Sequence, residues 1–471
     1  MERLQNKEII TCADETQHRP AILLVTTLAS FLTPFMASAM NIALPAINQE
    51  FSVDAVLLGW LVTSYILSCA VFLVPFGRIA DIYGRKRIFV AGLVLFTLAS
   101  LLSALANSFY MFIIFRVLQG AGGAMLLGTA VAILTSSCSP GEKGKFLGIN
   151  TAAVYLGLSL GPPLGGLLTQ YFGWRSIFLL MVPLGIITMV IVLWRLKGEW
   201  AHARGERFDY IGSAIYALAL VALIYGLARL PEIFGGVLVI ASILDLIAFV
   251  FWERRERSPI LNMNLFRSNP VFTFSNLAAL TNYCATAAVG FLLSLYLQYV
   301  RGFDPRAAGM ILISQPVVMA IFSPLAGRLS DKIEPRIVAS IGMVICTAGL
   351  AFLILLEGGT SLWLVIAGLV FLGFGFALFS SPNTNAVMSS VGKKDYGVAS
   401  ATLGTMRLTG QMLSMGITMM IFSVVIGKVK IDAGNYAGFL QSERIALAIF
   451  TVLCFGGIFA SLARGRVRRG I

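Results

Sequence analysis

Residues 77–87 read GRIADIYGRKR, and residues 327–336 read GRLSDKIEPR, with Gly, Arg and Asp again at the first, second and fifth places. Each stretch interrupts an apolar sequence and forms a short basic hairpin between two long hydrophobic runs. A single basic hairpin is an ordinary loop on one side of a membrane. Two copies, at 77 and 327, imply a chain built by duplicating one membrane unit.

Composition agrees with a membrane setting. Of 471 residues, 58% are hydrophobic and 12% charged, whereas soluble domains carry roughly 25% charged residues. The chain therefore reads as an all-α integral membrane protein. Cys12, Cys69, Cys138, Cys284, Cys346 and Cys454 lie far apart with no CxxC spacing, so they read as small apolar fillers and not as a disulfide frame or metal site. His18 and His202 fall in hydrophilic segments, which excludes a buried histidine relay. The net charge of +13 needs no nucleic-acid partner, because basic residues gathered on one face of a bilayer account for it. No Walker loop, metal cluster or nucleophile-and-base set is present, so an enzyme is not expected.

Residues 1–20 are polar and read as an uncleaved cytoplasmic tail. Apolar runs follow at about 22–45, 56–76, 88–106, 109–137, 146–169 and 176–194, each near the ~20 residues a helix needs to cross the hydrocarbon. Two more, at 210–228 and 233–252, lie between charged loops. The last six are near 271–299, 307–327, 337–356, 362–388, 398–426 and 444–463. Fourteen spans result, grouped as a first bundle (21–194), an inserted pair with its flanking loops (195–269) and a second bundle (270–463), followed by a basic tail at 464–471. An even number puts both termini on one side. Loops on that side hold 26 Lys and Arg against 7 opposite, with Arg116 and Arg407 left inside spans. The positive-inside rule makes the terminal side cytoplasmic, in a cell inner membrane.

These residues resemble the major facilitator superfamily, and within it the fourteen-span drug:proton antiporters. GRIADIYGRKR is similar to the loop signature between the second and third helices, and GRLSDKIEPR to its weaker echo. RVLQGAGGA at 116–124 resembles the fourth-helix motif and GLSLGPPLGG at 157–166 the antiporter motif of the fifth helix. WRSIF at 174–178, FDYIG at 208–212, the ERRERSPIL loop and YLQYVRGFDPRAAG at 296–309 are similar to the fourteen-span branch. One departure stands out. The branch carries an Asp in its first helix, five residues before an Asn, where FMASAMNIALP (35–45) has Met36.

The resemblance implies two six-helix bundles with pseudo-twofold symmetry plus two inserted helices, acting as a monomer that moves a small molecule by alternating access. Proton-coupled export of amphipathic compounds is expected, with no cofactor beyond the proton gradient. The same fold also suits an importer or facilitator of an anionic metabolite or vitamin. In the hairpins, Gly77 is expected to permit close helix packing, Gly84 a tight turn, and Asp81 to accept hydrogen bonds from a helix N-terminus, with Arg85, Lys86 and Arg87 at the headgroups. By resemblance, Asp81 and Asp331 belong to a cytoplasmic latch; a static topology anchor is the alternative.

Arg116 costs about 2.5–3.5 kcal/mol inside a span unless it meets polar partners, so it should face the interior with Gln119. With Met36 in place of the usual Asp, an anionic substrate is one source of its missing counter-charge. Gly157, Gly161, Pro162 and Gly165 predict a bent, closely packed fifth helix, either a kink or a gate. Asp245 is the clearest acidic candidate for proton coupling or for a structural hydrogen bond. Met36, Asn41, Tyr65, Gln119, Tyr155, Asn282, Gln315, Asn383 and Gln411 are candidates to line a cavity between the halves.

Overall fold

The structure is a computed structural model that describes residues 2–137, 143–196, 198–201, 203–256, 258–261, 263–392, 396–427, 429–432 and 434–465. Met1, Cys138, His202, Lys428 and residues 466–471 of the basic tail lie outside these residues, as do the side chains of Cys12 and His18. Among the described residues, fourteen helices are long and apolar enough to cross a membrane. The first six are α1 (Pro20–Phe51), α2 (Ala55–Tyr83), α3 (Arg85–Ala104), α4 (Phe109–Ser136), α5 (Gly148–Phe172) and α6 (Arg175–Arg195). The inserted pair is α7 (Tyr210–Arg229) and α8 (Ile233–Glu253). The last six are α9 (Pro270–Val300), α10 (Pro305–Lys332), α11 (Pro335–Ile354), α12 (Leu362–Ser389), α13 (Tyr396–Val425) and α14 (Tyr436–Ala463).

Local chemistry sets the ends of these helices. The carboxylates of Asp54, Asp209 and Asp304 accept from the amides of Leu57, Gly212 and Ala307, satisfying donors that the first turn leaves free. Asn269 caps α9 in the same way, and Pro270 and Pro305 occupy positions where a missing amide hydrogen costs nothing. The last stretch of α9, Tyr296–Val300, widens into a π-helix.

The two bundles use one pairing scheme. In the first, α1 packs on α5, α2 on α4, and α3 on both α4 and α6; in the second, α9 packs on α13, α10 on α12, and α11 on α12 and α14. Lipid offers no hydrophobic drive for helices to associate, so small residues that let backbones meet do much of this work. A Cβ on Gly122 would stand 2.6 Å from the Phe96 amide of α3, and one on Gly342 would stand 2.6 Å from the Gly375 carbonyl of α12. The same α3–α4 contact thus recurs as α11–α12.

The inserted helices do not share one environment. α7 lies across both bundles: Tyr216 donates to the Ala70 carbonyl of α2 at 3.2 Å, and Ser423 of α13 donates to the Leu230 carbonyl just past the end of α7 at 2.7 Å. α8 rests chiefly on α7 and has few buried residues.

Three boundaries differ from the sequence reading. The first helix runs from Glu2 to Phe51, past the apolar run that was expected to end near 45. The last helix begins at Tyr436, eight residues before the expected run, because its polar turn of Gln441, Ser442, Glu443 and Arg444 stays helical. Glu443 is thereby carried inside the bundle. Arg464, expected in a solvated tail, is fully buried and donates to Asn383 Oδ1 at 3.0 Å and to the Ser461 carbonyl at 2.8 Å. Burial pulls its guanidinium down to about 10, against the pull of nearby Glu334.

Candidate functional site

The bundles are tied together mainly on the face away from the termini. Asn48 of α1 donates to the Tyr299 hydroxyl of α9 at 2.8 Å, and Ser294 and Gln298 of α9 donate to the carbonyls of Asn41 and Ile42. The Ala55 amide bonds to the Val429 carbonyl at 3.2 Å. Beside these bonds α5 and α10 meet backbone to backbone. A Cβ on Gly309 would lie 2.9 Å from the Pro162 carbonyl carbon and closer still to its oxygen, and one on Gly166 would lie 3.1 Å from the Pro305 carbonyl carbon. This seam is closed because two glycines and a proline turn leave nothing between the chains.

The glycines expected on a closely packed fifth helix, whether a kink or a gate, face the first helix. Cβ atoms on Gly157, Gly161 and Gly165 would meet Phe31, Ser38 and Ala39 of α1. They fasten α5 inside its own bundle, while Pro162 and Gly166 face the other half. The periodicity is the reason, since residues four apart share one helical face.

At mid-depth a polar cluster spans the junction. Tyr155 of α5 donates to the Ser380 hydroxyl of α12 at 3.5 Å, the Ser380 carbonyl accepts from Thr384 at 2.8 Å, and Thr384 Oγ1 accepts from Arg407 Nη2 of α13 at 2.6 Å. The Arg407 guanidinium lies 5.7 Å from the centre of the Tyr283 ring, and Phe376 packs edge-on against that ring at 5.2 Å. Arg407 Nε is buried and has no hydrogen-bond partner. Arg407 signalled itself in the sequence only as a charge left over inside a span, the same signal that singles out Arg116.

The nine expected cavity residues separate into two groups. Asn41, Gln315 and Gln411 are partly exposed, and Tyr155 sits at the junction. Met36, Tyr65, Gln119, Asn282 and Asn383 are buried inside single bundles and do not line an open space. Polarity along a span does not distinguish a residue that faces a cavity from one that holds helices together.

Arg116 is fully buried among neutral partners. Its Nε donates to the Leu61 carbonyl at 3.1 Å, its Nη1 donates to Gln119 Oε1, and its guanidinium stacks over Tyr65 at 4.5 Å with Phe178 at 5.9 Å. Gln119 passes the chain on to Ser100 at 2.8 Å. These partners all lie within the first bundle: a helix carbonyl, a side-chain amide and two aromatic rings surround the guanidinium. Buried Met36 fits the same picture, since the first helix presents no carboxylate there.

In the first hairpin Asp81 accepts from Arg85 Nε at 2.8 Å, on its own turn, and not from a helix N-terminus. Arg85 also reaches Ser136 and the Ala132 carbonyl of α4. A Cβ on Gly77 would meet nothing within 4 Å outside its own helix, although a Cβ on Gly128 of α4 would stand 3.6 Å from the Gly77 Cα, so α2 and α4 come close there without requiring Gly77 to lack a side chain. Gly84 is required, with φ of 122° and the Glu199 side chain filling the space a Cβ would take. Glu199 accepts from the Lys86 amide at 2.8 Å, and Lys86 Nζ donates to the Leu196 carbonyl, so the hairpin grips the loop that leads to α7. In the second hairpin Asn385 of α12 reaches Ser330 and Asp331 at 3.1 and 3.3 Å. Each hairpin is therefore held by the fourth helix of its own bundle.

Two acidic residues are set apart from the rest. Asp245 is half exposed on α8, away from the junction. Glu443, which the sequence reading left outside the last span, is 1% exposed on α14, and neither carboxyl oxygen has a hydrogen-bond partner.

A family profile described as Major Facilitator Superfamily matches residues 26–415. The chain is 29% identical over 444 residues to the riboflavin transporter RibZ of Clostridioides difficile (strain 630), covering 94% of this chain and 96% of that protein. It is 33% identical over 401 residues to the multidrug resistance protein Stp of Mycobacterium tuberculosis (strain CDC 1551 / Oshkosh), covering 84% and 74%. It is 31% identical over 417 residues to the cephamycin export protein CmcT of Amycolatopsis lactamdurans, covering 86% of each. The crystal structure of a bacterial homologue of the human lysosomal transporter Spinster, inward-facing and unoccupied, superposes with a TM-score of 0.69 at 18% identity, over 95% of this chain and 97% of that one.

Proposed function

The chain belongs to the major facilitator superfamily, and from that premise we propose that it is a multi-pass transporter of the cell inner membrane that exports amphipathic small molecules by alternating access, acting as a monomer with both termini in the cytoplasm. The observation that carries this reading is the uneven junction: the bundles are bonded together away from the termini, while partly uncovered polar side chains remain at mid-depth. Such an arrangement supports one access state of a pair, with the other reached when the α5–α10 seam parts. The multidrug resistance and cephamycin export relatives support outward movement.

Inward proton flow is the proposed energy source. Glu443 is a better carrier than Asp245, because it is buried in the transport bundle with no competing partner. A second reading, a carrier of an anionic metabolite or vitamin, is favoured by the Arg407 guanidinium and by the riboflavin transporter relative.

Transport in proteoliposomes, with and without an imposed pH gradient, tests the proposal on cationic drugs and organic anions side by side. Uphill movement that tracks the gradient is expected. Movement indifferent to the gradient would remove antiport and leave a facilitator.

A further inference from the structure

The two arginines inside spans have unlike surroundings. Arg116 is enclosed, with its donors directed at a carbonyl, an amide and aromatic rings of its own bundle. Arg407 is half-buried, and among the described residues it bonds to a threonine hydroxyl while its Nε hydrogen has no acceptor. Among the described residues no carboxylate is bonded to it. A cation near the middle of a membrane in this condition lacks a counter-charge, and a guanidinium fork matches the planar oxygen pairs of carboxylates and the oxygens of phosphates.

Its neighbours define the rest of a ligand. Tyr283 lies against the guanidinium, Phe376 buttresses the Tyr283 ring, and Tyr155 comes from the opposite bundle to the same Ser380 whose carbonyl anchors Thr384. One tyrosine ring against an unneutralised cation, with a second tyrosine reaching the adjoining serine, suits a flat aromatic body with an acidic group at its edge. We infer that Arg407, with Tyr283 beside it and Tyr155 across the junction, is a subsite for the anionic group of an aromatic organic anion. Because Tyr155 and Ser380 bridge the bundles, a ligand seated there touches both halves and favours the access state that brings them together. The inference rests on the transporter reading and narrows its substrate class.

The test is equilibrium binding to purified protein in nanodiscs, read by fluorescence polarisation, with fluorescein as the aromatic anion and ethidium as the aromatic cation. Wild type should bind fluorescein saturably and more tightly than ethidium. Arg407→Gln should weaken fluorescein by about 10- to 100-fold and leave ethidium no weaker. Arg407→Glu should reverse the preference. If the Arg407 variants do not fold, Tyr283→Leu carries the test and should weaken fluorescein by about 5-fold. Absence of saturable fluorescein binding by wild type, or binding unchanged in Arg407→Gln or in Tyr283→Leu, overturns the subsite. Arg407-dependent binding of fluorescein with no movement of it across proteoliposome membranes would instead count against the transporter reading and leave the subsite standing.

Discussion

Replacing Gly309 with alanine places one methyl group in the α5–α10 seam. It would stand 2.9 Å from the Pro162 carbonyl carbon and 3.3 Å from the Pro163 Cα, where ordinary contact begins at 3.4 Å. Both opposing atoms are backbone of a helix that α1 holds firmly, so no side chain can rotate away. The helices must part by about half an ångström or more, and forcing a methyl into a packed contact costs about 1–3 kcal/mol. Only the closed seam bears that cost; the state in which the seam is open does not. Access from the face away from the termini should therefore rise by about 5- to 150-fold. The assay is the labelling rate of Asn41→Cys by an impermeant maleimide added on that face. Cys69, Cys284, Cys346 and Cys454 are buried and should contribute little background, and Cys12 and Cys138 are replaced by serine. Gly77→Ala is the control, because a methyl there meets nothing within 4 Å. A labelling rate in Gly309→Ala equal to that of the control would refute the claim that this backbone contact holds the seam shut.

Glu443→Gln should abolish accumulation driven by a pH gradient while leaving substrate exchange at equal pH intact, measured in the same proteoliposomes; retained gradient-driven uptake would clear Glu443 of the proton-carrying role. Arg116→Ala should lower stability in detergent by about 2–4 kcal/mol, since it leaves a cavity and an unpaired Gln119 oxygen, without altering the relative affinity for anions and cations; a change in charge preference would return Arg116 to the binding site. Gly84→Ala should destabilise the first hairpin by about 1–2 kcal/mol, from its positive φ and the neighbouring Glu199 side chain, seen as a lower thermal midpoint. Asp81→Asn should slow transport while leaving membrane insertion unchanged, because Arg85 then loses its carboxylate; an unaltered rate would mark the pair as a topology anchor.

The doubling of six helices could be read from the chain because it leaves marks every bilayer protein must carry: runs of about 20 apolar residues and two glycine-led basic turns. The insert was legible for the same reason. What the chain concealed was orientation about each helix axis. Gly157, Gly161 and Gly165 announced a close contact but not which neighbour made it, and their fourfold spacing put all three on α1. Asn383 and Tyr65 looked like lining residues, yet one receives Arg464 and the other lies under Arg116. Glu443 was missed for a simpler cause. Hydropathy began the last run only at 444, and a buried carboxylate is the kind of residue that hydropathy reads as a boundary.

The placement of α7 has a further consequence. Of the two flanks along which the bundles meet, the one formed by α2 and α13 is shuttered by α7, while the α5–α10 flank has no such cover. Among the described residues the two flanks are thus unequal, and every swing of the α2–α13 flank has to carry the shutter with it.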